Sequence, residues 1–518
     1  MIRSFLTVST GTLASRLLGF ARDAMVASLI GAGPVADAFL IAFQFVNIVR
    51  RLLTEGALSN ALVPVWLTTK DTRGPLAATA FAGRVLGTLS ALLIVATGII
   101  GLLMPWVMAV LAPGFADEET LRFAVNDARL MLPYLAFAGP ATVTMALLNV
   151  QGRFALTAFA PLMFNIALLA VMIALAFRHP DSQTAAMAIA ATVGIAGLLQ
   201  LLILISRGRR FATPLRVAFD RPMRDFFAKA LPGMISAAGP QILLVGGAIV
   251  ASTSPSAVSW LYFASRLIEL PLGLVGVAVG AVLLPELTRA VRADDRSAIS
   301  HAESRGLELA MGLALPAMFG LIALREPVAR LLFEHGLFTA TDTAGTANAL
   351  GWLALSLPAQ VLIKALSPAF FARGDMAAPL WATLKGFAVA IALAIVLGRL
   401  FGTGGIAASI AFGAWSSAWG LIRRGGATLG FAIDATARRR LPRLGVAAVA
   451  MGALLWLTAP ILFAAGHDPH GPAFFLLVAT LISGGVAAYA LFLLLLGVIS
   501  RNDAIGALRK SASSRLRG

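Results

Sequence analysis

The chain has 518 residues, of which 59% are hydrophobic and only 13% are charged, and its mean hydropathy is +0.88. Soluble domains carry about 25% charged residues, so this composition excludes an ordinary soluble globule and predicts a polytopic membrane protein. The net charge of +17 does not predict nucleic-acid binding, because the arginines cluster between apolar stretches, as in loops facing an anionic cytoplasmic leaflet. The absence of cysteine excludes disulfides and thiolate metal sites.

Fourteen apolar stretches of membrane-spanning length follow one another along the chain. The first six cover about residues 4–30, 35–53, 85–110, 123–150, 161–177 and 184–206. The next eight cover about residues 230–252, 257–284, 307–324, 346–371, 379–400, 404–422, 446–463 and 474–499. Arg16 interrupts the first stretch, which is therefore interpreted as a retained helix rather than a signal peptide. Gly-Pro pairs at 139–140 and 239–240 predict kinked helices that line a cavity.

Loop charge predicts the orientation of these helices. The loops after predicted helices six, eight and twelve and the C-terminal tail are rich in arginine, whereas alternate loops such as residues 31–34 carry no Lys or Arg. By the positive-inside rule the arginine-rich loops and both termini are cytoplasmic. In the connection at residues 325–343, Val328, Leu331 and Leu332 recur at helical spacing, which predicts a short helix in the outer interface.

A faint internal repeat predicts the domain organisation. Residues 26–43 resemble residues 250–267, at an offset near 224. The fold predicted is an all-α membrane protein with an N-lobe (1–215, helices one to six) and a C-lobe (216–425, helices seven to twelve). Residues 426–518 add helices thirteen and fourteen and a basic tail. Six spans per repeat make the lobes parallel, with a pseudo-twofold axis along the membrane normal and substrate between them. Chance similarity of apolar segments is the alternative.

Ionisable residues interrupt apolar sequence at a few places, although each charge costs about 2.5–3.5 kcal/mol at the centre of a spanning helix. The basic ones are Arg16, Arg22, Arg50, Arg51 and Arg266, and the acidic ones are Asp23, Asp37, Glu55 and Glu269. If each arginine paired with an acid, the set would only hold helices together. Because the five arginines outnumber the four acids, we expect an anionic ligand to bind the arginines. Ser15 and the four acids are expected to serve gating or contact between lobes.

Other chemistry has little support in the sequence. The five histidines fall in loops or at helix ends, without the spacing of a metal site, and no phosphate-binding loop or catalytic triad is present. Lys364 and Lys385 lie in predicted spans and are ambiguous, since each side chain can simply reach the interface. No enzyme activity, cofactor or metal site is therefore expected.

Several of these segments resemble the MurJ/MviN family of bacterial lipid II flippases, in the MOP transporter superfamily. They include SRLLGFARD (15–23), NIVRRLLTEGALSNALVPV (47–65) and SWLYFASRLIELPLG (259–273). The resemblance implies a lipid II flippase of the bacterial inner membrane, in which the last two helices form a groove for the polyprenyl tail. It also implies transport roles for Arg16, Arg22, Asp37, Arg50 and Arg266, an undecaprenyl-diphosphate-linked glycolipid as substrate, and cell-wall synthesis proteins as partners.

The source of energy stays open at this point. Sodium-linked relatives are expected to hold the ion between helices seven and eleven, where this chain offers Ser236, Gln241 and Thr383 but no carboxylate. Sodium coupling is therefore not expected, and membrane potential, another ion or a substrate gradient are the alternatives.

Three other functions compete with lipid II transport. They are transport of another polyprenyl-linked saccharide, export of drugs or small solutes, and an enzyme or scaffold acting on polyprenyl phosphates. A cation exporter should line its cavity with carboxylates, and an enzyme should show acid/base pairs or acidic metal clusters.

Overall fold

The protein folds almost entirely into helices, as a computed structural model shows. The structure describes residues 2–54, 57–115, 117–208, 215–237, 239–292, 296–372, 375, 377–429, 434–463 and 471–498. Within these ranges there is no β-strand, and nine helices are long and apolar enough to cross a membrane. The predicted all-α membrane fold is confirmed, while the count of fourteen spanning helices stays a prediction.

The first half of the chain forms eight helices. They are α1 (Ile2–Ile30), α2 (Pro34–Thr54), α3 (Ala57–Arg73), α4 (Pro75–Leu111), α5 (Glu118–Met131), α6 (Pro133–Val150), α7 (Phe154–Arg178) and α8 (Ser182–Gly208). The sequence pattern missed α3, because its second half is polar and Pro64 interrupts it. The fourth predicted span is two helices that meet at Leu132, where Pro133 begins α6 at a position that tolerates its missing amide.

The second half forms ten further helices. They are α9 (Arg221–Ala237), α10 (Gly239–Ala251), α11 (Ala257–Arg292), α12 (Arg296–Ala323), α13 (Arg325–Phe333), α14 (Ala340–Leu353), α15 (Leu357–Ala372), α16 (Ala377–Leu429), α17 (Ala435–Phe463) and α18 (Pro472–Leu495). Part of the basic stretch expected to be a loop is helix α9. Predicted spans eleven and twelve are the two arms of α16, which turns at Gly402, where φ is +58° and only glycine is unstrained.

Helix packing follows a similar scheme in both halves. Helix α1 packs on α7 as α10 packs on α16, and α2 packs on α5 as α11 packs on α14. Helix α4 packs on α6 as α12 packs on α15. The pairs follow the repeat that the sequence indicated, although the domain boundaries at 215 and 425 stay predictions. Beyond these pairs, α17 lies along α12, and α18 packs on α17.

The two halves meet tightly at the predicted outer end. Phe333, at the end of α13, is fully buried with its ring centroid 5.7 Å from that of Phe20 and 5.0 Å from that of Phe263. The backbone N–H of Leu337 donates to the carbonyl of Ser28 at 2.9 Å. The predicted short helix is therefore present, and its place in the outer interface stays a prediction. Phe333 packs between the halves, while Val328, Leu331 and Leu332 are only half-buried.

A second close contact lies at the same end. The backbone N–H of Gly114, after α4, donates to Oγ of Ser252 at 3.0 Å. A Cβ at this position would lie 2.3 Å from the backbone nitrogen of Thr253, so only glycine allows the two segments to approach. We call these contacts of Phe333, Leu337 and Gly114 the outer seam.

Candidate functional site

A cavity of about 800 Å³ opens between helices of the predicted N-lobe and α11 and α15 of the predicted C-lobe. Its charged lining residues are Arg16, Arg22, Arg50, Arg51, Arg266 and Lys364, together with Asp23 and Glu269. The structure therefore brings together all five arginines that the sequence predicted, with Ser15, Asp23 and Glu269 beside them. Asp37 is not among the lining residues, and Glu55 lies outside the described residues. Six positive side chains thus face two negative ones.

Asp23 is the centre of one half of this charge network. It is 2% exposed, and its Oδ1 accepts from Nη2 of Arg22 at 2.6 Å and from the hydroxyl of Tyr262 at 3.1 Å. Its Oδ2 lies 3.5 Å from Nε of Arg266. Because Arg22 and Asp23 are on α1 whereas Tyr262 and Arg266 are on α11, these contacts join the two predicted lobes.

Glu269, one turn from Arg266 on α11, is the centre of the other half. Its Oε2 accepts from Nη1 of Arg266 at 2.7 Å, and its Oε1 accepts from Nη2 of Arg51 at 2.7 Å. The side-chain amide of Gln241 donates to the same Oε1 at 3.1 Å. Glu269 therefore links α2, α10 and α11.

Arg16 crosses from α1 to α11 by a different route. Its Nη1 donates to the backbone carbonyl of Glu269 at 3.4 Å. The guanidinium group occupies space that exists because residue 273 is glycine: a Cβ there would lie 1.2 Å from Nη1. Arg16 is two helical turns nearer the N-terminus than Asp23, so it lies closer to the predicted inner end of the cavity.

Three contributing residues were missed from the sequence or left without a role. Asn165 on α7 accepts from Nη1 of Arg22 at 3.2 Å and donates to the carbonyl of Ser15 at 3.0 Å. Tyr262 places its ring 4.6 Å from Cζ of Arg266. Lys364, which was ambiguous, lines the cavity. An asparagine inside an apolar span was the available signal, but its partners are 150 and 143 residues away.

Asp37 makes a separate contact between the halves. Its carboxylate, on α2, accepts from the backbone N–H of Ser259 at 2.9 Å and from the hydroxyl of the same residue. It is 2% exposed, and Ser259 is fully buried near the start of α11. The geometry is that of a contact between the predicted lobes, and its role in gating stays a prediction.

The cavity is suited to hold an anion. At an effective dielectric of about 20, two unit charges about 4 Å apart interact by roughly 4 kcal/mol, and a planar guanidinium can donate two bonds to one phosphate. Two carboxylates orient Arg22, Arg51 and Arg266 but do not balance the positive charge. Nε of Arg266 is buried and forms no hydrogen bond in the part of the chain that the structure describes, although it lies 3.5 Å from Oδ2 of Asp23. Within that part, no group of three or more His, Asp or Glu could hold a metal ion.

The sequence is similar to known proteins over most of its length. A family model described as "Lipid II flippase MurJ" matches residues 26–470. A probable lipid II flippase MurJ of Rhizobium meliloti (strain 1021) is 35% identical over 505 residues, which cover 94% of this chain and 92% of that protein. The lipid II flippase MurJ of Burkholderia cenocepacia is 32% identical over 424 residues, or 80% of this chain and 81% of that protein.

Solved structures share the fold. A lipid II flippase MurJ in an inward closed conformation has a TM-score of 0.75 at 22% identity and covers 94% of this chain and 98% of its own. An inward-facing multidrug resistance MATE family transporter of the MOP superfamily has a TM-score of 0.63 at 15% identity, over 85% of this chain and 98% of its own. The helical architecture is therefore common to both kinds of transporter.

Proposed function

Since this chain belongs to the MurJ family of lipid II flippases, we propose that it moves lipid II from the cytoplasmic to the outer leaflet of the bacterial inner membrane by alternating access. The observation that carries the proposal is the cationic cavity, in which six positive side chains face two carboxylates. Lipid II carries a diphosphate between its sugar and its polyprenyl tail, so its headgroup has the charge that this lining attracts.

Arg16, Arg22, Arg50, Arg51 and Arg266 are proposed to bind the diphosphate and neighbouring anionic groups. Asp23 and Glu269 hold three of these arginines in place and join the predicted lobes at the same time. A substrate phosphate that takes over these arginines would therefore also change the contacts between the lobes. Binding would in this way be coupled to the conformational change that alternating access requires.

The other functions weighed fit the cavity less well. An organic cation would be repelled by the excess of arginine, and the likeness to MATE transporters concerns the fold. Transport of a different polyprenyl-diphosphate saccharide would use the same arginines, but the family assignment favours lipid II.

The energy source and the surroundings of the protein are further proposals. Lipid II carries negative charge outward, and a potential negative inside favours this by about 2.3 kcal/mol per charge per 100 mV. We propose that membrane potential rather than sodium drives the step, because neither α10, which carries Gln241, nor α16, which carries Thr383, contains a carboxylate. Cytoplasmic termini, a tail groove formed by α17 and α18, and partners among cell-wall synthesis proteins stay predictions.

The test is lipid II binding and flipping by single variants in proteoliposomes, each normalised to folded protein. Arg16→Ala, Arg22→Ala and Arg266→Ala should each lower binding at least about tenfold, which corresponds to roughly 1.4 kcal/mol. Arg423→Ala is a matched control, because Arg423 is an exposed arginine of α16 outside the cavity. If the arginines only hold helices together, the amount of folded protein will decrease, whereas the activity per folded molecule will stay the same. Normal binding and turnover in all three variants would reject the proposal.

A further inference from the structure

A second cavity, of about 890 Å³, lies between α3 and α4. We call it the α3–α4 crevice. It is lined by Arg73, Arg84 and Arg216, by three threonines and by apolar residues, and it shares no lining residue with the central cavity. Its position follows from the hairpin at Gly74, which turns the chain from α3 into α4 with φ +84°. By loop charge this hairpin is on the cytoplasmic side.

The charge of the α3–α4 crevice is unbalanced. Three guanidinium groups line it, and no carboxylate does among the residues that the structure describes. Asp220 binds one of them from outside, with Oδ2 2.8 Å from Nη1 of Arg84. The hydroxyls of Thr69 and Thr72 already donate to carbonyls of their own helix, so the arginines are the donors available to a ligand.

Arg216, which lines the crevice, belongs to residues 215–220, a segment without regular secondary structure. Ala218 N donates to Oγ1 of Thr88 at 3.0 Å, and the same hydroxyl donates to the carbonyl of Ala218 at 3.1 Å. Glycine at 87 permits this close approach, since a Cβ there would lie 2.6 Å from the carbonyl oxygen of Arg216. The segment is therefore held along α4 with the backbone of Arg216 against that helix.

The same segment carries exposed apolar side chains. Leu215, Val217 and Phe219 are 63%, 56% and 58% exposed, respectively. Leu76, beside the hairpin, is 85% exposed. Exposed apolar groups next to a cationic crevice match the two parts of a phospholipid, whereas free phosphate would need only the arginines.

Helix α4 is long enough to bring the crevice to the depth of lipid headgroups. It has 37 residues and is about 55 Å long at 1.5 Å per residue, well beyond the roughly 30 Å of bilayer hydrocarbon. Its first turns, which line the crevice and follow the predicted cytoplasmic hairpin, can therefore lie in the headgroup layer. Nearby, the ammonium of Lys70 lies 5.5 Å from the ring centroid of Trp66, and both residue types are common at membrane interfaces.

We propose that the α3–α4 crevice binds the phosphodiester headgroup of an anionic phospholipid of the cytoplasmic leaflet. Arg73, Arg84 and Arg216 contact the phosphate, and the acyl chains lie against the exposed apolar side chains of residues 215–219. The bound lipid would fix the hairpin and residues 215–220 to the membrane surface. This site is separate from the central cavity and does not depend on what that cavity transports.

Native mass spectrometry of the delipidated full-length protein tests the proposal. Phosphatidylglycerol should bind, and phosphatidylcholine should bind at least fivefold less. Arg73→Gln/Arg216→Gln should lower occupancy by phosphatidylglycerol at least fivefold, whereas Arg423→Gln/Arg438→Gln should not. The control removes the same charge from exposed arginines of α16 and α17, at the same predicted side of the membrane. The proposal is refuted if the two double variants bind phosphatidylglycerol equally well, or if both lose the same fraction of this binding.

Two further arms separate the alternatives. Full displacement of phosphatidylglycerol by millimolar glycerol 3-phosphate would indicate a free-phosphate site and would overturn the lipid assignment. Photo-crosslinkable phosphatidylglycerol on the unmodified protein keeps the proposal testable even if the arginine variants fail to fold. Adducts should map to residues 64–84 and 215–220, and adducts found only elsewhere would refute it.

Discussion

Replacing Gly273 by alanine should dislodge Arg16 while leaving its charge in the protein. A Cβ at residue 273 would lie 1.2 Å from Nη1 and 2.1 Å from Cζ of Arg16, so the guanidinium group must leave this position. It is the flexible end of a long side chain beside an open cavity, so it can swing aside without disturbing either backbone. Alanine also favours a helix by about 1 kcal/mol over glycine, so the amount of folded protein should not decrease.

The expected effect follows from the lost contact. A hydrogen bond from a charged donor contributes about 1.5–3 kcal/mol, and the distance of 3.4 Å between Nη1 and the Glu269 carbonyl is long for one. A loss of about 1 kcal/mol is therefore a reasonable magnitude, and it corresponds to roughly a fivefold change in an equilibrium constant. Since Arg16 joins α1 to α11 near the predicted inner end, the loss should favour opening at that end.

The assay uses the absence of cysteine from the chain. A single cysteine replacing Thr142, a buried residue that lines the cavity, should react with a membrane-impermeant maleimide in inverted vesicles. Gly273→Ala should raise the labelling rate about fivefold. Gly420→Ala is the matched control, since its Cβ would meet Ala382 at an ordinary 3.8 Å. An unchanged rate in Gly273→Ala, at normal abundance of folded protein, would show that Arg16 does not hold the inner end closed.

Three further expectations follow from the structure. Asp37→Asn and Ser259→Ala should each destabilise the protein in thermal unfolding, and the double variant should lose no more than the larger single effect, because both remove one buried contact. Additive losses would contradict this. Arg266→Lys should restore part of the lipid II binding that Arg266→Ala loses, because lysine keeps the positive charge but lacks the planar guanidinium group. Binding no better than that of Arg266→Ala would count against a role for the charge. A reporter fused after Arg221 should lie in the cytoplasm and one after Glu119 in the periplasm, and an inverted pair would refute the orientation.

The charged residues of the cavity could be predicted from sequence because an ionised group in a spanning helix is costly without a function. Arg16, Arg22 and Arg266 stood out for that reason alone, and the structure places them around one cavity. Asn165 did not stand out, because one amide in an apolar helix is informative only once Arg22 and the Ser15 carbonyl are known to lie beside it. Sequence periodicity contains no information about such distant partners.

The local structure was harder to predict where tertiary contacts decide it. Helix α3 combines polar residues with Pro64, so neither hydropathy nor helix propensity indicated it. In α13, Val328, Leu331 and Leu332 form the apolar stripe, yet Phe333 is the buried anchor because rings from α1 and α11 surround it. The space that Gly273 leaves for Arg16 depends on the approach of two helices and could not be inferred from either sequence segment.

The outer seam and the inner charge network respond to different physical variables. The outer seam consists of aromatic rings and backbone contacts, and hydrophobic contacts weaken on cooling. The inner network consists of guanidinium and carboxylate groups, and dissolved ions screen it chiefly where water enters the cavity, at the half-buried pair of Arg51 and Glu269. The contacts of Asp23 with Arg22 and Arg266 are buried and are screened much less. Cooling therefore weakens the outer seam, whereas salt weakens one ion pair of the inner network and leaves the buried pairs in place.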